Sequence, residues 1–249
     1  MMQDQFQRSA IMKYLKAWIL IFLAVALVGC AQAPKKQAYN HAAANHIKQI
    51  VIVNDPDQDR YEATMLAHPA MAFGLIGGAV AAADMHGKGT RLTDALVPSQ
   101  TRLQQRLGDV LSQALGGIGY ESALFVLPKD TKEDDMFMVA RTKGPAGDAV
   151  LTLRLTGAYI SAGPSSDYLP HLRLRAVLVE ANTGKVLYED LLTYGQAIPA
   201  TPSVHFASDD SYRFDNIDAL VADPAKARKG LVVGLKIMAG QLAADLKRP

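Results

Sequence analysis

The chain is nearly without cysteine, with one, Cys30, among 249 residues. That excludes a disulfide framework and a cysteine-based zinc site. It also lacks a charge surplus, holding 26 basic residues against 24 acidic ones. Such a balance argues against nucleic acid as a partner. No His-Glu-x-x-His and no Gly-x-Ser-x-Gly occurs, so the metalloprotease helix and the hydrolase nucleophile elbow are both missing. Gly87-Lys88-Gly89-Thr90 imitates the end of a phosphate loop, but Ala82 stands where its first glycine belongs. Asp55, Asp57 and Asp59 are spaced like the start of a calcium loop, yet Arg60 replaces the loop glycine and Leu66 the closing glutamate. His68, His86, His171 and His205 are scattered and read as structural or surface residues. No metal site is expected.

What is present is a long apolar run near the start. Residues 17–28, from Ala17 to Val28, carry no charge, and Lys13 and Lys16 stand just before them. This is the basic region and apolar core of an export signal. At about 12 residues the run is shorter than the roughly 20 that a spanning helix requires, although an uncleaved anchor is the competing reading. Met12-Lys13 makes a more compact start, so residues 1–11 read as an upstream start choice. Residues 1–29 contain Arg8, Lys13 and Lys16 against Asp4, so removing them leaves a chain of balanced charge.

The run closes in Leu27-Val28-Gly29-Cys30. This resembles the lipobox of bacterial lipoproteins, with Leu27 and Val28 at the apolar positions, Gly29 at the small one and Cys30 as the lipidated residue. The resemblance implies cleavage before Cys30, diacylglycerol on its sulfur and an acyl chain such as palmitate on its amine. Ala31 follows, not aspartate, which in the sorting rule of that family implies the periplasmic face of the outer membrane. Several acyl chains anchor stably where one does not. Beyond this covalent lipid no cofactor is expected.

Residues 30–46 are polar, small and aperiodic and read as a flexible tether, with residues 47–249 as a single periplasmic domain. A β-branched run, Ile47 to Val53, predicts a first strand. Residues 69–84 predict an apolar helix in which Gly74, Gly78 and Ala82 share one face, while Phe73, Ile76 and Val80 lie on another. Three readings of it stand: a core helix, a surface for self-association or a partner, and a membrane-interfacial helix. The helix is expected to stop at Asp84-Met85-His86-Gly87. An amphipathic helix follows at 99–117, a strand at 123–127, and a short helix at 132–141. Strands at 149–160, 171–180 and 185–194 form a meander whose second turn is Asn182-Thr183-Gly184. A long loop covers 196–211. The final helix runs from Asp223-Pro224 to about Leu246, burying Leu231, Leu235, Met238, Leu242 and Leu246. The fold class is α+β, an α/β sandwich whose mixed sheet of about five strands carries helices packed on it.

Three stretches are similar to the curli-secretion lipoprotein and its TolB-N-terminal-like relatives: the strand 47–53 entering an acidic turn, Gly147-Asp148-Ala149-Val150-Leu151, and the hairpin Arg173–Leu187. The resemblance spans roughly residues 47–195. It implies a non-catalytic outer-membrane lipoprotein serving secretion, transport or envelope assembly through protein partners or self-assembly. No pair of amphipathic hairpins suited to a membrane barrel is found. The alternative is a carrier or binding lipoprotein for an apolar small molecule or lipid, acting as a transport auxiliary.

Overall fold

The computed structural model describes residues 36–54, 60–97, 102–198 and 204–248, all within one unit, Pro34–Pro249. The export signal, Leu27, Val28, Gly29 and Cys30 lie outside the described residues, as do Asp55, Asp57 and Asp59. Strands β1 (Gln49–Asn54) and β2 (Tyr61–Met65) come first, then a 3-10 turn at Pro69–Phe73 leading into α1 (Gly74–Leu96). Helix α2 (Leu103–Gly116), strand β3 (Glu121–Val126) and helix α3 (Met136–Lys143) follow. The long strands β4 (Ala149–Ser161), β5 (Tyr168–Glu180) and β6 (Val186–Gly195) form the meander. Short β7 (Val204–Phe206) precedes α4 (Ile217–Ala222) and α5 (Pro224–Asp245).

The sheet is mixed and has seven strands in the order β3-β1-β4-β5-β6-β7, with β2 also on β4. The fold class agrees with the sequence reading, but the strand count is higher by two. Both additions have the same cause. Strands β2 and β7 span 5 and 3 residues and lie inside stretches dominated by turn residues, so neither builds a period of its own. The meander is antiparallel, and its Gly184 takes the expected positive φ of 72°.

Strand β4 organises the rest. Along its full 13 residues it pairs with β5. Its other edge receives β1 at Ala149–Thr152 and β2 at Gly157–Ser161, both parallel. Between them Leu153–Thr156 lacks a strand partner on that edge among the described residues. The first turns of α2 close this gap. Gln104 Nε2 donates to the Leu155 carbonyl at 3.4 Å. Gly157 lets Leu103 approach, and a Cβ on Gly108 would come within 2.9 Å of the Asn54 amide.

One face of the sheet is buried under α2, α5 and the C-terminal half of α1. The predicted stripe of α5 is fully inside, with Leu231, Leu235, Met238, Leu242 and Leu246 at 1 % exposure or less. Tyr159 adds a hydroxyl bond to the Ala227 carbonyl at 2.9 Å. The opposite face is covered by α3 only beside β1 and the start of β4, where Met136 and Ala140 pack over Val51, Val53 and Val150.

The segment expected as free tether behaves otherwise where it is described. Tyr39, Ala44 and Ile47 are buried in the main core. The Tyr39 and Tyr120 hydroxyls lie 2.9 Å apart, and Tyr120 donates to the Leu246 carbonyl at 3.0 Å. Gln37 bridges Glu189 of β6 antiparallel, and Lys36 pairs with Asp190 at 3.1 Å. Tyr39 and Ala44 supply the burial that a polar composition concealed.

Asp148, in the Gly147-Asp148-Ala149 step, accepts the backbone N–H groups of Lys48 at 2.7 Å and Gln49 at 2.9 Å. These bonds to Gln49 and Lys48 favour the charged form and hold its carboxyl below the usual carboxylate range. A depressed folded-state pKa contributes stability above the unfolded value near about 4, lost as pH falls through the folded value. Asp148→Ala is therefore expected to cost about 1–2 kcal/mol at neutral pH. In urea titrations across pH, the difference from wild type should shrink on approaching about pH 3.

Candidate functional site

Two surface features are not explained by the core. The first is a helical prong. Leu66 N and Ala67 N bond to the carbonyls of Ser161 and Ala162, so the chain leaves β2 at the C-terminal end of β4. The 3-10 turn Pro69–Phe73 then meets Gly74, whose φ of 63° reverses the backbone into α1. Helix α1 returns along β2. Gly89 packs on Tyr61 and Ala63, Thr93 Oγ1 donates to the Tyr61 carbonyl, and Leu92 and Leu96 enter the core. The helix does not stop at Asp84–Gly87 but continues to Leu96, because this packing on β2 outweighs the helix-breaking tendency of Gly87 and Gly89.

At the level of Asp84 the helix passes the end of the sheet. His68 marks the base, with Nδ1 accepting from Ala70 N at 3.2 Å and Nε2 placed 3.1 Å from Asp84. Lys88 Nζ joins Asp84 at 2.6 Å. From there to Gly74, ten residues at helical rise extend about 15 Å. Leu75 is 96 % exposed, Ile76 80 % and Phe73 76 %, with Met71 and Val80 also bare. The core-helix reading is thus corrected for residues 69–83, because the sheet ends before them. The small residues that accept close packing within this chain are Gly77 and Ala81, both buried. Gly74 and Gly78 have nothing within 4 Å of a built Cβ, and Ala82 is exposed. Phe73, Gly74, Ile76, Gly78, Val80 and Ala82 therefore all border solvent in the isolated chain.

The second feature is an arginine trough on the open sheet face. Period-two alternation places Arg154 of β4 and Arg173 and Arg175 of β5 on this face. Arg154 stands directly across from Arg175, and Thr156 across from Arg173. Like charges in directly opposed positions destabilise a sheet. Glu133 relieves the pair, because one carboxylate oxygen meets Arg154 and the other accepts from Arg175 Nη1 at 2.9 Å. Glu189 accepts from Arg175 Nη2 at 2.8 Å. Arg173 has no ion-pair partner among the described residues. Together with Arg60 and Glu62 these side chains line a concave pocket of about 480 Å³. Nothing in the local sequence marks Glu133, because its partners are 21 and 42 positions away, on strands.

The histidines form no common cluster among the described residues, although His171 and His205 lie near enough to interact through their charges. His171 is buried with Nδ1 2.9 Å from the Gln196 carbonyl, and burial lowers its pKa. His205 Nδ1 lies 3.2 Å from Thr193 Oγ1. No group of three or more potential metal ligands occurs among the described residues. Gly87–Thr90 lies within α1, where a phosphate loop cannot form.

The prong geometry separates two neighbouring glycines. Gly77→Leu drives a side chain into the Ala70 carbonyl and should destabilise the fold by about 1–3 kcal/mol. Gly78→Leu meets open space and should stay within about 0.5 kcal/mol of wild type. Paired thermal melts of the two variants check this.

No protein-family model and no curated protein matches the chain. Among solved structures it is similar to a Xanthomonas campestris protein of the DUF330 family, at 11 % identity over 86 % of this chain and 94 % of that one, with a TM-score of 0.38. It is similar to the PelC dodecamer from Paraburkholderia phytofirmans at 10 % identity over 86 % and 95 %, TM-score 0.29. It is also similar to a lipoprotein from Neisseria meningitidis at 17 % identity over 59 % and 81 %, TM-score 0.26. At these scores the likenesses carry no functional argument.

Proposed function

We propose that this chain is a non-catalytic lipoprotein of the bacterial envelope, held by lipid on Cys30 at the periplasmic face of the outer membrane. It works through contacts with protein partners or with copies of itself, in envelope assembly, secretion or transport. The observation that carries this reading is the arginine trough. Its Glu133 is engaged by Arg154 and Arg175, and no histidine, cysteine or serine stands among its lining residues. What it offers is a group of arginines on an open sheet face, of which Arg173 has no ion-pair partner among the described residues, and this suits an acidic protein surface better than a reaction. The alternative, a carrier for an apolar molecule, calls for an enclosed apolar cavity. The trough and a second cleft, of about 560 Å³ between β2 and α1, are instead lined largely by polar and charged residues, and a more apolar groove beside α3 holds only about 170 Å³.

Mass spectrometry of the wild-type protein should show the lipid adduct on Cys30, and Cys30→Ser should lose it and leave the membrane fraction. Light scattering of the detergent-extracted wild type at low salt should give a mass above one chain. Arg173→Glu, or about 1 M salt, should reduce it. A wild-type monomer at low salt would reject self-assembly and leave acidic partner proteins as the reading to test.

A further inference from the structure

We infer that the prong formed by residues 69–83 is seated in the lipid leaflet that carries the Cys30 anchor, as a second attachment that fixes the orientation of the domain. This rests on the reading of Cys30 as lipidated. Four observations meet at this point. Pro69–Ala83 contains no charged residue, and the helical stretch Pro69–Leu96 is apolar and long enough to cross a membrane, with 11 % of its most apolar window buried. The prong rises about 15 Å above the sheet, which is half of a hydrocarbon core of about 30 Å. It is therefore as deep as one leaflet and too short for two. Its polar boundary is abrupt, with Asp84 bonded to both His68 and Lys88 at the base, where headgroups and water begin.

The fourth observation is direction. The Gln37–Glu189 bridge is antiparallel and Lys36 pairs with Asp190, so the described chain enters Gln37 from the Gly195 end of β6. That is the end of the sheet from which the prong projects, since Gly195 pairs with His171 beside the start of β5, and β5 pairs there with the end of β4. Six residues lie between Cys30 and Gln37, so this lead spans at most about 24 Å when extended. The bridge at Glu189 stands six residues, about 20 Å, before Gly195, so the lead is long enough to bring the anchor to this end of the domain and little further.

A second copy of the chain is the rival occupant, and the distribution of the apolar residues speaks against it. At 100° per residue the exposed positions Leu75, Ile76, Ala79, Val80, Ala82 and Ala83 cover about 160° of α1. Phe73 and Met71 add to this from the 3-10 turn. A seam between two helices is narrower. Lipid wets such a broad face without leaving part of it in water.

The full lipidated protein, in vesicles of phosphatidylethanolamine and phosphatidylglycerol, tests this. The only tryptophan, Trp18, lies in the export signal, so Leu75→Trp places a single reporter at the tip and Val126→Trp a control on edge strand β3. Lipids brominated on their acyl chains should quench the indole emission of the tip variant at least twofold and leave that of the control variant unchanged. The added changes Ile76→Asp and Val80→Asp, which alter only exposed positions, should abolish the quenching. A blue-shifted tip reporter that brominated lipid does not quench, and whose shift grows with protein density, would overturn the inference in favour of self-association. An unshifted, unquenched tip reporter would overturn it outright. The intact mass of the same sample reports the lipid on Cys30, so a failed anchor is distinguished from a failed prong.

Discussion

The pairing of β4 on both edges is the constraint from which the other elements take their places. Its 13 residues bond continuously to β5 on one side. On the other they accept two parallel strands with a gap between. Backbone groups at such a gap cannot be left buried without partners. Gln104 donates to Leu155 there, which brings the start of α2 onto the sheet. Glycines at 108 and 157 make that approach possible. The core under α2 and α5 follows from where this helix sits.

A sheet so arranged presents its two faces differently. One meets α1, α2 and α5 and is dry. The other keeps an uncovered middle, where the strand period puts three arginines on neighbouring positions of β4 and β5. Glu133 and Glu189 compensate Arg154 and Arg175, while Arg173 has no ion-pair partner among the described residues. At the end of the sheet α1 outruns its support, and its uncharged half meets solvent. Trough and prong thus come from the same cause, helices that do not match the extent of the sheet they cover. An anchored domain oriented by a prong would hold its open sheet face at a constant attitude to partners in the periplasm.

The amphipathic stripe of α5 was legible because it is a local pattern, a helical period. The meander was legible for the same reason, down to Gly184 in its turn. The two short strands were not. Tyr61–Met65 becomes a strand only because β4 extends past β1 and offers a free edge. The close-packing register of α1 differs by one position from the one its spacing suggests. Gly74-Gly78-Ala82 and Gly77-Ala81 are equally small, and the fold of the 3-10 turn back onto Gly77 decides between them.

Composition and spacing within a few residues were enough for the class of fold, the meander and the buried stripe of the last helix. Other features had to wait for the folded chain. Tyr39 and Ala44 tie down the expected tether, and Glu133 joins arginines from two strands. The apolar helix is bare where it passes the sheet. These are matters of distance between residues far apart in the chain, and burial is fixed by what lies opposite a residue, not by its own polarity.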